Sequence, residues 1–360
     1  MTTASFTTNA TGSSHPDRIR VLVLETDQTF ESTSERKGTF GDIFHSLFSK
    51  AGQDHEPPLK LETVMKFVVE PEGGKIPDVA DVGEIDAVLI TGSKYDAHGD
   101  DEWIWKLVQW IRSAWKKYPE MRFSGVCFGH QILCRALGSK VEPSPGEEWE
   151  LSHTQINLTS TGEALFRTKD KIFLHQMHVD HVVDAPTSSS SEGLIADNSS
   201  VTVWGSSETI PIQGVYIRER LFTSQGHLGY DEQMVKKHVD SRFEKGLIKD
   251  EKQAEEAKEK AGLDHDGLLV AGAILRRQYF GVVLEAQLTT NPRHQISKPD
   301  YSKNNTPVRR IRHHVERYSY ARSKNRRVKA YSPPNPFEFP LADARVLITY
   351  KNTKVTAILS

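Results

Sequence analysis

One cysteine in this chain stands where chemistry can be done with it. The run Phe123-Ser-Gly-Val-Cys127-Phe-Gly-His-Gln131 reads as a hydrophobic strand entering a sharp, glycine-flanked turn. The next residues, His130-Gln-Ile-Leu-Cys-Arg-Ala-Leu137, continue at once with helical spacing. A strand, turn and helix joined this tightly form a nucleophile elbow, which pushes one side chain out of the end of a buried strand toward a substrate. Gly125 and Gly129 permit the tight backbone and leave space beside the sulfur. The helix start brings free N–H groups and a positive dipole end to Cys127, which predicts a lowered thiol pKa and a thiolate nucleophile. A lone cysteine in a strand is more often a small buried hydrophobe. The surrounding pattern, Gly-x-Cys-x-Gly-His-Gln, is what favours the nucleophile.

The elements needed to hold such an elbow can be followed along the chain. Arg20-Val-Leu-Val-Leu-Glu25, residues 61–69, residues 85–91 and residues 121–126 are short apolar runs that predict strands. Between them, residues 39–48 and the Trp-rich stretch 101–117 carry apolar groups at helical spacing. Strands alternating with helices predict a mostly parallel open sheet flanked by helices, with ligands outside the carboxyl ends of the strands. Gly92 and Cys127 both fall at such ends. Residues 148–184 are richer in strand signals, followed by a serine-rich loop and further strands near 201–204, 212–217 and 221–225. From Asp231 to Lys260 the pattern is helical and charged, and a last helix is predicted near 267–279.

Residues 1–17 are rich in Ser and Thr without periodicity and predict a disordered leader. Residues 18–280 form the expected globular domain. Residues 281–360 hold 15 Lys/Arg against 5 Asp/Glu, so +10, which leaves −12 for residues 1–280. This last stretch predicts a basic, poorly structured C-terminal extension rather than a nucleic-acid-binding tail. A net charge of −2 over 360 residues gives no global pull toward nucleic acid or anionic membrane. Two cysteines, Cys127 and Cys134, make no disulfide framework. With no apolar run long enough to span a bilayer, these features predict a cytoplasmic protein without a membrane partner.

The Cys-Phe-Gly-His-Gln run resembles the motif of the class I (triad-type) glutamine amidotransferases, especially a branch of stand-alone fungal proteins similar to the glutaminase domain of GMP synthase. The resemblance covers about Arg18 to Phe280 and implies a flavodoxin-like α/β fold. It implies L-glutamine as substrate and Cys127 as nucleophile. His227, in Gln225-Gly-His227 at a strand end, matches the family's base. Gly92 and Phe128 match the oxyanion-hole positions, Gln131 a position that helps hold the substrate, and His178 the segment shaping its pocket. No cofactor is implied. His175, His178 and His181 invite a metal reading, but a spacing of three along a strand puts successive members on opposite faces.

The chain departs from the family at the third triad member. The family reads His-Pro-Glu, and here the letters are His227-Leu-Gly229. Glu232 and Asp231 are the nearest acids that could take the role, although Asp231 is more naturally a helix cap and Glu232 a first-turn acid.

Two functions of different class follow. The first is Cys-dependent hydrolysis of the glutamine side-chain amide, with ammonia passed to a small-molecule acceptor, as in amidation of a secondary metabolite. No synthetase phosphate loop occurs in the chain, so a separate ATP-dependent activating partner is expected. A related enzyme reading is hydrolysis of γ-glutamyl amides or peptides. The second class is a catalytically weakened binding or regulatory module. Deglycase-like proteins also carry an elbow cysteine, but they place their acid before the nucleophile and lack this run.

Overall fold

A computed structural model describes residues 18–276 together with two strands near the C-terminus. The expectations for residues 1–17, and for 281–360 apart from those strands, lie outside the described residues. The chain separates into two units, residues 1–290 and 291–360. Within the second, Val346–Lys351 and Lys354–Leu359 pair antiparallel.

In the first unit, nine strands form one sheet. Its parallel half is β1 (Arg18–Glu25), β2 (Lys60–Phe67), β3 (Ala87–Ile90), β4 (Arg122–Val126) and β11 (Leu221–Ser224), in the order β2-β1-β3-β4-β11. The other half is antiparallel and continues from β11 through β10 (Gly214–Ile217), β9 (Val201–Ser206), β6 (Glu150–Leu158) and β7 (Lys171–His178). The strand-rich middle of the sequence thus extends the same sheet. Two further short strands, β5 (Val141–Pro143) and β8 (Asp180–Val182), pair with each other beside it.

Alternation along β1 shows how the sheet divides two cores. Leu22 and Leu24 enter one cluster, and Val21 and Val23 the other, as the two-residue period of a strand requires. The first cluster is covered by α3 (Glu102–Lys117) and α4 (Phe128–Ala136), through Trp103, Leu107, Ile111 and Leu133. The second is covered by α2 (Phe40–Gln53), α5 (Ser160–Phe166) and α8 (Gly267–Ile274). A third, smaller cluster joins α6 (Glu232–Glu244) and α7 (Glu251–Glu259) to Met177 and Tyr230. The charged stretch from Asp231 onward is therefore two helices, each opened by an aspartate cap, Asp231 and Asp250. A short helix, α1 (Glu31–Lys37), follows β1 and precedes α2, which opens with a Thr39–Asp42 capping box.

β3, β4 and β11 are neighbours in the sheet and all run the same way, so their carboxyl ends lie side by side. That arrangement gathers Gly92, Cys127 and His227 from three distant parts of the sequence.

Candidate active site

Cys127 occupies the residue between β4 and α4 with φ 53 and ψ −110, a conformation that side chains avoid and that marks a strained turn. Two glycines make the turn possible for steric reasons. A Cβ on Gly129 would stand 2.1 Å from the Ile90 carbonyl oxygen, so α4 could not lie on β3 with any other residue there. On Gly125 a Cβ would stand 2.3 Å from the Gly129 oxygen. The Cys127 N–H donates to Ser224 O at 2.9 Å, which ties the elbow to β11.

The structure brings His227 to this cysteine. The Gly92 position touches both, since a Cβ there would lie 3.0 Å from His227 Cε1, 3.6 Å from its Nδ1 and 3.5 Å from Cys127 Cβ. The Nδ1–Cε1 edge of the ring therefore faces Gly92, while Nε2 is buried and has no hydrogen-bond partner. The turn carrying Gly92 is held by Thr26, whose hydroxyl donates to Gly92 O at 3.1 Å and whose N–H donates to Thr91 Oγ1 at 3.0 Å. The His227 N–H donates to His175 O at 2.8 Å, which fixes its backbone to β7.

The electrostatics correct one expectation from the sequence. Burial pushes the Cys127 thiol up to about 12, and this outweighs the Arg242 charge and the Phe128 N–H, both of which favour thiolate. A helix start beside a buried sulfur does not by itself ionise it. His227 is driven well below its ordinary value, first by burial and then by the charges of His238, His178, Arg242 and His175. The resting pair is a neutral thiol beside a neutral imidazole.

Neither Asp231 nor Glu232 supplies the missing carboxylate. Asp231 caps α6 by accepting from Met234 N at 3.0 Å and pairs with Arg36 and with Lys37, the latter at 2.9 Å. Burial raises its pKa, but those partners more than reverse this and hold it far below the usual carboxylate range. Glu232 pairs with Lys236 one turn along α6, at 2.6 Å. What lies on His227 is aromatic: the Tyr230 ring stacks on it with centroids 3.8 Å apart and planes 16° from parallel.

Gln131 and His178 both reach the cavity beside Cys127, and both are fixed. Gln131 Nε2 donates to Asp180 O at 2.8 Å and to Gln225 Oε1 at 3.2 Å. His178 Nδ1 bonds Asp180 O at 2.9 Å and its Nε2 bonds Glu150 Oε2 at 2.9 Å. Burial works against the Glu150 carboxylate, but His178, Ser207 and Gln213 offset it and hold the pKa below its ordinary value. With both ring nitrogens engaged, His178 is a wall of the pocket rather than a free base. The three histidines of the metal reading part company. His175 lies against His153 and His265 behind the site, His178 faces the cavity, and His181 belongs to β8.

The cavity measures about 520 Å³. Its walls carry carboxylates, among them Asp27, Glu72 and Asp180, and cations, Lys94, Arg242 and Lys245, so groups of both signs can meet a zwitterion. Burial raises the Asp27 pKa, against the opposing pull of Lys94. Sequence reasoning missed the contribution of α6. His238, Arg242 and Lys245 recur at spacings of four and three and all face the cavity, a periodicity that could have been read as one helix face. It also missed Phe30 and Trp149, for which no local signal exists.

This geometry agrees with what the chain is similar to. The profile of the family described as glutamine amidotransferase class-I matches residues 80–243. A Schizosaccharomyces pombe protein named as glutamine amidotransferase-like is 30% identical over 257 residues, covering 71% of this chain and 97% of that one. Gamma-glutamyl peptidase 3 of Arabidopsis thaliana is 27% identical over 222 residues, covering 60% of this chain and 80% of that one. A solved glutamine amidotransferase from Methylobacillus flagellatus shares the fold with a TM-score of 0.52 at 18% identity, covering 72% of this chain and 93% of that one. The chain belongs to the class I glutamine amidotransferase family. Among the described residues, no helix is long and apolar enough to cross a membrane.

Proposed function

We propose that this protein is a cysteine hydrolase of γ-glutamyl amide bonds, of which glutamine is the simplest substrate. The observation that carries this reading is Cys127 in a strained elbow, with His227 against the same Gly92 and the Phe128 N–H at its sulfur, on the wall of a cavity. In the first step the Cys127 thiol proton passes to His227 Nδ1 while sulfur attacks the amide carbon. The N–H groups of Gly92 and Phe128 receive the oxyanion, a role worth about 10²–10³ in rate per donor in comparable sites. Collapse breaks the C–N bond, and the proton on His227 leaves with the amine. Water then attacks the thioester, giving up a proton through His227 and releasing glutamate. Gln131 and His178 shape the end of the pocket that holds the glutamyl group.

The fate of the amine separates two finer readings. A cavity of about 520 Å³ leaves room beyond a single glutamine, and a γ-glutamyl peptidase stands among the relatives, which supports an amino compound or peptide as leaving group. Membership of the amidotransferase family supports the other reading, ammonia passed to a separate ATP-dependent synthetase in the cytoplasm, as in amidation of a secondary metabolite. Glutamate release from glutamine and from a γ-glutamyl dipeptide, by wild type and Cys127→Ala, tests the proposal. Release in the wild type alone is expected. No release from either substrate, and no labelling of Cys127 by a γ-glutamyl affinity reagent, would leave the protein as a binding relative instead.

A further inference from the structure

A triad-type site has three tasks beyond the nucleophile's own. It must hold the imidazole plane, fix its proton and stabilise the positive charge that appears when the ring takes the thiol proton. A carboxylate does the last two together, and among the described residues none lies on His227. The buried Nε2 is without a partner. Arg242 from α6 opposes a positive charge on the ring, as do His238 from the same helix and His175 and His178 from β7 whenever they are protonated. Asp231, the nearest acid along the chain, is taken by Arg36 and Lys37.

Something other than a carboxylate must therefore face the imidazolium. The Tyr230 ring does so, nearly parallel and 3.8 Å away, well inside the distance at which a π face attracts a cation. Its far face stacks on His238, with centroids 5.0 Å apart and planes 11° from parallel. Arg242 donates to His238 Nδ1 at 2.9 Å, so that nitrogen is an acceptor, and burial with the Arg242 charge drives the His238 pKa well below its ordinary value. His238 thus stays neutral and does not compete for the same ring from the other side. Phe30 closes the end of the stack, edge-on to His238 at 4.9 Å.

Resting on the reading of Cys127 and His227 as a working pair, we infer that Tyr230 replaces the missing third member, holding the His227 ring plane and stabilising its imidazolium through the π face. The step it assists is the transfer of the Cys127 proton to His227 Nδ1, which leaves thiolate and imidazolium and requires no other reactant. Tyr230 is a positioning residue and does not touch substrate. The attraction belongs to the ring and does not require the phenol oxygen.

The test replaces Tyr230 in the full chain by Phe and then by 4-fluoro-, 3,5-difluoro- and pentafluorophenylalanine, which keep the ring shape while draining its π face. Two quantities are read: kcat and KM on a γ-glutamyl dipeptide, and the pH midpoint of Cys127 alkylation by iodoacetamide, located by peptide mapping. With Tyr230→Phe as the reference, kcat should fall stepwise along the fluorinated series, by about tenfold at the most fluorinated ring, with KM unchanged. Weakening the π face disfavours imidazolium and with it thiolate, so the alkylation midpoint should move to higher pH along the same series. A flat series in the alkylation midpoint overturns the inference, whatever the turnover. If turnover is absent throughout while the midpoint still climbs, the proposed hydrolase activity fails and the pairing of Tyr230 with His227 stands. Tyr230→Leu, which has no π face, should lower kcat and raise the alkylation midpoint relative to Tyr230→Phe.

Discussion

A Cβ on Gly229 would stand 2.7 Å from Ile43 Cγ2, so α2 fills the space through which the family's carboxylate would approach His227. Restoring the acid alone should therefore not restore the triad. Gly229→Glu is expected to lower stability by about 1–3 kcal/mol through overpacking and to leave glutamate release no higher than wild type. Paired with Ile43→Ala, the same substitution should gain activity beyond the sum of the two single changes. Urea unfolding and turnover of the four proteins give the cycle. Purely additive effects would show that Ile43 is not what bars the carboxylate.

The strain at Cys127 should be visible as stability. Cys127→Ala removes the nucleophile but keeps a side chain at φ 53, whereas Cys127→Gly relieves the conformation, worth about 1–3 kcal/mol, at a smaller entropic cost. Both variants are expected to lose glutamate release. The glycine variant should be the more stable by about 1 kcal/mol, read from urea midpoints at equal m-values. Equal midpoints would mean that the elbow stores no strain.

Asp231 belongs to stability rather than to catalysis. Arg36, Lys37 and the Met234 N–H hold its folded pKa far below its ordinary value, so the unfolded chain takes up a proton first as pH falls. Its contribution is complete above the ordinary carboxylate range and is lost as pH drops through that range toward the folded pKa. The side chain is about one-third exposed, so the ion pairs add little and the cap most of the effect. Asp231→Ala should cost about 1 kcal/mol at pH 7 and progressively less below pH ~4, while glutamate release stays within about twofold. A large loss of kcat without loss of stability would return Asp231 to the triad.

How much of this was legible in the sequence depends on the range of the constraint. The elbow was, because Gly125 and Gly129 are dictated by clashes within a few residues of Cys127 and with β3 beside it. The parallel half of the sheet was legible too, since fully buried strands such as Ala87–Ile90 read as unbroken apolar runs. That β6 and β7 continue the same sheet in antiparallel fashion was not, because alternation reports which face is buried and not which strand is the neighbour. The pairing of His178 with Glu150, 28 residues away, and the stacking of His227, Tyr230 and His238 depend on that neighbourhood. The lowered thiol pKa was expected from the helix start alone, and burial, a tertiary property, reversed it.

Arg242 is the charge that most favours the Cys127 thiolate, and it does so from the cavity wall while donating to His238. Removing it should therefore act in two directions at once. The thiol, already pushed up to about 12, should climb further, and alkylation of Cys127 at any pH below that value should slow. His227 and His238, both depressed in part by the same cation, should become easier to protonate. Arg242→Met keeps the length that covers Trp149 and loses the charge. Slower alkylation is expected, together with an acid limb of kcat/KM displaced to higher pH, because the base must be neutral to accept the thiol proton. Addition of salt should mimic neither change, since Cys127, His227 and His238 are buried and their interactions are screened little. If alkylation instead quickens on losing Arg242, the cation acts on Cys127 by closing the cavity rather than by its field.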